Sequence, residues 1–361
     1  MRICLFKLQI NLHSMFKYIK YLNPLIIYSL AFISFTNTGI LCWLVLIYSW
    51  AFIPLLELFI KPSSRNMSAA EEELSKNDKK YDYMLYLIVF IQIPTLLFFL
   101  YSFVGSQLNT IDIVGRITAM GMLCGTFGIN VAHELGHRKN KFEQTLAKIS
   151  LLSSLYMHFF IEHNKGHHKN VATPSDPSSA RYNEWLYSFY FRTIIFSYLS
   201  AWHIANNEMK KKGLSVFSLQ NEMLQAHIFQ AAFVGFVYLI FGGWITVYFL
   251  GAAFMGILLL ETVNYIEHYG LQRKITSENS FERTMPQHSW NSNHAIGRIL
   301  LFELSRHSDH HYLASRKYQI LQNHNNTPQL PTGYPGSMLL ALLPPLWFSI
   351  MNKKIASYNS K

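Results

Sequence analysis

Histidine is the residue type in this chain best equipped for chemistry, and it is concentrated. Eight of the 16 histidines fall in three short clusters: His133-Glu134-Leu135-Gly136-His137, Glu162-His163-Asn164-Lys165-Gly166-His167-His168, and Arg306-His307-Ser308-Asp309-His310-His311. On a helix, residues i and i+4 share a face one turn apart, so His133 and His137 suit one metal ion. His163 and His167 repeat that spacing, His168 adds a third imidazole, and the last cluster gives i, i+3, i+4. His268, within Asn264-Tyr265-Ile266-Glu267-His268-Tyr269-Gly270, is a ninth candidate that alone would suit an interfacial or hydrogen-bonded role. The first cluster alone is also an HExxH, the zinc-protease signature in which Glu134 would be the general base. Number decides against that reading: a catalytic zinc uses three protein ligands and one open position, leaving most of these histidines without work. Nine imidazoles suit two metals with four or five ligands each. Imidazole-rich coordination without thiolate fits iron that must bind oxygen, but zinc, copper and nickel accept such ligands too. The residues thus specify two metals more firmly than they specify the element. The pair of Glu-x-x-His helices expected of a soluble carboxylate-bridged di-iron bundle is missing.

Metal-bound histidine donates its second nitrogen to a carboxylate or carbonyl. Glu134, Glu162, Glu267 and Asp309 stand beside the proposed ligands and are expected to accept there, with ion pairs to Arg138, Lys165 or Arg306 as the competing use. His288 and His294, around Trp290, are assigned structural hydrogen bonds, and His13, His158, His203, His227 and His324 no function. Cys4, Cys42 and Cys124 form no CxxC, so any redox carrier must be another protein.

The elements that position these residues are membrane helices. Half of the chain is hydrophobic, 14% is charged and the mean hydropathy is +0.14, too apolar for a soluble protein of 361 residues. The apolar residues form runs near the length of about 20 that a crossing helix needs. They are expected as three hairpins with spans at roughly 21–37 and 40–60, 83–104 and 109–130, and 225–241 and 244–262. The turns are Thr36-Asn37-Thr38-Gly39, Gly105-Ser106-Gln107 and Gly242-Gly243. Lysine and arginine crowd the N-terminal arm (Arg2, Lys7, Lys17, Lys20), the 61–80 linker and the segments after 131 and 263, and nearly avoid the three turns. The positive-inside rule then puts both termini and the histidine-bearing segments, 131–224 and 263–361, in the cytoplasm. The first apolar run is too long for a removable leader and lacks a cleavage site. The expectation is one all-α integral membrane domain, 1–361, with six transmembrane helices and a cytoplasmic histidine-rich catalytic region. The net charge of +11 follows from the positive-inside bias and attraction to anionic lipid, and it also suits an acidic electron carrier. It does not indicate nucleic acid, since the basic residues flank spans and no recognition module is present.

The ordered set of motifs resembles the membrane alkane 1-monooxygenase family. The resemblance rests on 133–138 (His-Glu-Leu-Gly-His-Arg), 162–168 continuing through Val171-Ala172-Thr173-Pro174-Ser175-Asp176-Pro177, 264–271, and 306–311. His288-Ser-Trp-Asn-Ser-Asn-His294 and Leu330-Pro-Thr-Gly-Tyr-Pro-Gly336 extend it over nearly the whole chain, including the six spans. Ser305 stands where glutamine is usual, and Leu313-Ala314-Ser315 replaces a proline-containing turn; neither touches a ligand. The resemblance implies two non-haem iron ions, the nine histidines as their ligands and molecular oxygen as co-substrate. It also implies rubredoxin with its reductase as electron source and a multi-pass location in the cell inner membrane. An apolar substrate dissolved in the bilayer would enter laterally, methyl first, along a channel lined by the first four spans, with Trp43, Trp50 and Phe52 as candidates for setting its depth. Three other readings differ in testable ways. An aromatic-methyl (xylene-type) monooxygenase would keep every histidine and change the pocket. A membrane fatty-acyl desaturase or hydroxylase shares histidine-box logic with less similar motifs. A metal transporter would place its ligands within the spans along a pathway.

Overall fold

The structure, a computed structural model, describes residues 17–277 and 280–359. Arg2, Lys7, Cys4 and His13 lie outside the described residues. Apolar runs become helices because a buried or lipid-facing backbone must satisfy its hydrogen bonds within the segment. The first hairpin is α1 (Lys17–Thr36) and α2 (Gly39–Phe59). A linker leads to α3 (Ala69–Asn77), which starts with a capping box between Ser68 and Glu71. The second hairpin is α4 (Lys79–Tyr101), capped by Asp78, and α5 (110–136), capped by Asn109. Then follow α6 (Lys141–Leu152), α7 (159–170) and α8 (Leu186–Lys211). The third hairpin is α9 (Glu222–Phe241) and α10 (Gly243–His268). Strands β1 (Ile275–Ser277) and β2 (Ser280–Phe281) pair antiparallel. The chain ends in α11 (Ala295–Leu300), α12 (His307–Tyr312), α13 (Tyr334–Ala341) and α14 (Pro344–Asn359).

Each hairpin turns on a glycine at positive φ, Gly39 (66°), Gly105 (66°) and Gly242 (83°), a conformation that costs glycine little. Among the described residues, five helices are long and apolar enough to cross a membrane: α1, α2, α4, α9 and α10. The expected span at 109–130 does form a helix, α5, but is not one of these five. Its first turns carry buried Asp112 and Arg116. Arg116 donates to the carbonyls of Ser102 (2.6 Å) and Asn37 (2.9 Å), and Asp112 accepts from the Gly39 N–H (2.7 Å), so the pair ties two hairpin turns together. The lower half of α5 is almost wholly buried, making it the central post of the bundle.

α10 lies along α5 in very close contact. A Cβ at Gly256 would come within 2.7 Å of the Cys124 Cβ, and one at Gly121 within 2.7 Å of the Met255 Cβ. Small residues let the two backbones approach as apolar helix pairs require. The 26-residue helix α8, which the hydropathy of the chain does not announce, packs on α7 and α10.

Three of these helices contain a π turn: Tyr48–Phe52 in α2, Cys124–Ile129 in α5 and His163–His167 in α7. A π turn closes with an i→i+5 bond and re-phases the side chains after it, and such turns gather at functional sites. All three feed the site described next.

Candidate metal centre

The nine histidines come together as two groups. His133 and His137 from α5, His163 and His168 from α7 and His310 from α12 form the first; His167 from α7, His268 from α10 and His307 and His311 from α12 form the second. Within each group the ligand atoms lie within 4.8 Å of one another, and either group could hold a metal ion. Helices α7 and α12 supply both groups, while α5 serves only the first and α10 only the second. His168 and His311 stack across the two groups with ring centroids 4.4 Å apart.

The i, i+4 pairing expected of His163 and His167 is replaced by another. The π turn makes residues five apart neighbours, so the Nε2 atoms of His163 and His168 meet at 3.0 Å while His167 turns to the second group. One short segment thereby serves both groups. The spacing at His133 and His137 keeps its ordinary sense.

Their nitrogens fit cations better than they fit one another. Nε2 faces Nε2 between His167 and His311 (3.2 Å), His307 and His311 (2.9 Å), His268 and His307 (3.2 Å) and His168 and His310 (3.1 Å). A neutral imidazole has one proton to donate, so such a web cannot be satisfied by hydrogen bonds alone. The Nε2 atoms of His133 and His137 are buried with no hydrogen-bond partner among the described residues. Burial, then the neighbouring imidazoles, holds His163, His168, His307, His310 and His311 below the ordinary imidazole range. Burial, then Arg138 and His167, brings His137 to about 3. Neutral imidazole is the form that binds metal. His167 runs the other way: burial opposes its charge, but the Asp176 carboxylate raises it.

Asp176 is a site residue that spacing arguments do not select. Its Oδ2 lies 2.9 Å from His167 Nδ1, and the Ser179 hydroxyl and Ser178 N–H hold it at 2.5 and 3.1 Å. It sits nine residues beyond His167 in a proline-flanked turn, so only the motif from 171 to 177 hints at it.

The four expected carboxylates have different surroundings. Glu267 Oε2 lies 3.1 Å from His307 Nε2, the nitrogen turned into the second group, while Oε1 accepts from the Tyr334 hydroxyl at 2.7 Å. Glu134 binds Arg138 (2.5 Å) and the Tyr318 N–H (3.2 Å). Asp309 takes Arg316 (2.9 Å), His324 (2.7 Å) and the Gln322 N–H (2.9 Å), so His324 anchors this acid. Glu162 is buried beside Gly166 and Ser200, and burial, then Asp176, pushes it up to about 8. His288 contacts Met285 and Glu282, and His294 contacts Ser292. His203 and His227 are bonded locally to Asn207, and to Tyr198 and Met223; His158 Nε2 has no hydrogen-bond partner among the described residues.

An apolar cavity reaches these groups. Ile27, Ser49, Trp50 and Ile53 line it from α1 and α2, Met122, Gly125 and Thr126 from α5, Leu259, Leu260 and Val263 from α10, and Leu300, Leu301, Pro335 and Met338 from the last third of the chain. His133, His163, His307 and Glu267 are also in its wall. The expected lining is corrected in two respects. No residue of the third span, α4, contributes; α4 packs against α1 and α6, and α10 takes its place. Of the three bulky candidates only Trp50 lines the cavity, with its Nε1–H 3.0 Å from Met122 Sδ. Phe52 is 51% exposed on the outer face, and Trp43 lies against α5 near Gly115.

Membrane-length helices bearing two buried groups of histidines that could each hold a metal ion have the make-up of a membrane histidine-box oxidoreductase, and residues 112–336 match the fatty acid desaturase family. The chain is 36% identical over 318 residues to an alkane 1-monooxygenase 2 of Alcanivorax borkumensis, covering 88% of this chain and 83% of that one. It is 38% identical over 321 residues to an alkane 1-monooxygenase 2 of Pseudomonas aeruginosa, covering 88% and 84%. A xylene/toluene monooxygenase hydroxylase component of Pseudomonas putida is more distant, at 27% over 243 residues, 67% of this chain and 64% of that one. The chain belongs to the alkane 1-monooxygenase family and is a monooxygenase.

Proposed function

We propose that this chain hydroxylates the terminal methyl of medium- or long-chain n-alkanes to 1-alkanols at two iron ions, using molecular oxygen and electrons from rubredoxin. The apolar cavity that meets both histidine groups carries this reading. His133, His137, His163, His168 and His310 would hold one ion and His167, His268, His307 and His311 the other. When bound, the irons supply the oxygen activation that an unactivated C–H bond requires.

The chain's own residues select and orient. The leucine, isoleucine and methionine walls hold an alkyl chain extended and exclude water. Trp50 limits how far the methyl end can advance, and confinement favours the primary carbon over weaker internal C–H bonds. Asp176 accepts from His167 Nδ1–H and so keeps Nε2 aimed into the second group. Tyr334 holds Glu267 with its other oxygen toward His307. Per turnover one oxygen atom enters the alcohol and the other leaves as water, with two electrons and two protons taken up.

The chain is proposed as a single six-span hydroxylase domain of the cell inner membrane, with α5 as the fourth span and both termini and the histidine groups on the cytoplasmic side. There rubredoxin, reloaded by its reductase, would meet a basic face. The identities favour the alkane branch over the aromatic-methyl one. The test is product analysis of octane, hexadecane and xylene incubated with membranes carrying this chain, iron, rubredoxin and its reductase. The 1-alkanol is the expected product. Benzylic alcohol alone would move the chain to the aromatic branch, and an internal alcohol would contradict methyl-first entry.

A further inference from the structure

A second cavity, of about 250 Å³, shares no lining residue with the apolar one. Lys17 and Lys20 at the start of α1, Arg65 in the linker after α2, and Arg298 and Arg306 before α12 give it five cations. Two carboxylates, Glu71 and Glu303, face them, so three positive charges remain. Both carboxylates are engaged. Glu71 binds Lys17 at 2.6 Å; Glu303, 3% exposed, binds Arg298 at 2.6 Å, Lys20 at 3.2 Å and the Tyr21 hydroxyl at 2.8 Å. Phe302 and Glu303, at φ 50° and 59°, make the left-handed turn that carries Glu303 there.

Arg306 is the decisive residue. It is 3% exposed, and its described acceptors are only the backbone carbonyls of Leu321 (2.5 Å) and Arg65 (2.7 Å). Its Nε has no hydrogen-bond partner among the described residues. Glu303 and Asp309 lie within electrostatic reach of this buried guanidinium, but each is already bound by closer cations, Arg298 and Lys20 for the one and Arg316 for the other, so the charge is only partly compensated, a state that favours an anion. Arg65 brings a second guanidinium with no described side-chain partner.

We infer that this pocket binds a phosphate group. Guanidinium forks match the oxygens of a phosphate, and the lysines add point charge. The pocket lies where α1 begins its candidate span, the level of lipid headgroups, so an anionic phospholipid or free phosphate could supply the group. An acidic protein is a poorer match, because a flat protein surface cannot reach a residue as buried as Arg306. The bound phosphate would link the foot of α1 to the segment leading into His307.

The test uses the full chain, purified in detergent and stripped of lipid. Binding and thermal shift are measured with inorganic phosphate, with chloride at matched ionic strength, and with mixed micelles of phosphatidylglycerol or phosphatidylcholine. Saturable binding of phosphate or of phosphatidylglycerol, absent with chloride, is expected. Arg65→Gln and Lys20→Gln should each weaken it about tenfold, and Arg65→Lys should recover much of the loss. Response to phosphate identifies a free anion as sufficient; response to phosphatidylglycerol alone identifies the headgroup. No saturable binding of either, or unchanged binding in both glutamine variants, overturns the inference. So does a result in which those variants weaken only association with rubredoxin.

Discussion

At the scale of the residue, burial favours neutral imidazoles, and the histidine side chains turn toward two common centres. His311 touches His167, His168 and His307 and belongs to the second group. His311→Ala should therefore lower iron from about two per chain to about one and abolish product, with iron assay and turnover measured together. Asp176 acts through His167. Asp176→Asn keeps the shape but removes the charge, and is predicted to weaken iron retention by about tenfold or more with the fold intact, as read by chelator competition. The pH dependence follows from the depressed histidines. The unfolded chain takes up protons below the ordinary value of 6.5, whereas folded His137 resists protonation until about 3. Stability is thus fully present above 6.5 and falls as pH drops below it, with iron release in the same direction; His167, raised by Asp176, opposes this only in part. Melting curves and iron content at about pH 7.5 and about pH 5.5 check the sign. His268 stands alone in the sequence and was a candidate only beside the other eight grouped histidines, which were legible from their spacing, because spacing and residue type carry metal chemistry. Their division was not: the π turn at His163–His167 changes which residues are neighbours, and nothing in the spacing of that segment announces it.

At the scale of the element, hydropathy marked six spans, of which five are helices long and apolar enough to cross a membrane among the described residues, while the one expected at 109–130 forms the helix at 110–136 without joining these five; the three turns fell on glycines at positive φ. The long amphipathic helix α8 was not evident. Arg192 and its polar residues dilute its hydropathy, and its position follows from packing on α7 and α10. The cavity lining was only partly legible, since facing depends on the phase shift within α2 that turns Ser49 and Trp50 inward and leaves Phe52 outside. Trp50→Ala should extend the usable cavity and shift preference toward longer alkanes, measured as the ratio of hexadecane to octane turnover. The α5–α10 contact is equally specific. Gly256→Val would force side-chain atoms into Cys124 and Gly125 and should destabilise the protein by about 2 kcal/mol or more, seen as a lower melting temperature with reduced iron content.

At the scale of the whole molecule, the fold puts an apolar cavity and two metal-binding groups in contact, with the cavity built from α1, α2, α5 and α10 and the groups from α5, α7, α10 and α12. The proposed function has a bilayer-dissolved substrate reach the histidine groups between helices without crossing water. The proposed topology predicts that cysteines placed at the turns near Gly39, Gly105 and Gly242 are labelled from outside the cell, whereas one near Lys76 is labelled only after permeabilisation. Isotope labelling distinguishes oxygen drawn from molecular oxygen from oxygen drawn from water. Octane is incubated with the iron-loaded chain, rubredoxin and its reductase under oxygen-18 gas in ordinary water, and the product is analysed by mass spectrometry. The account predicts 1-octanol carrying one labelled oxygen atom. Octanol without label, its oxygen drawn from water, would contradict it.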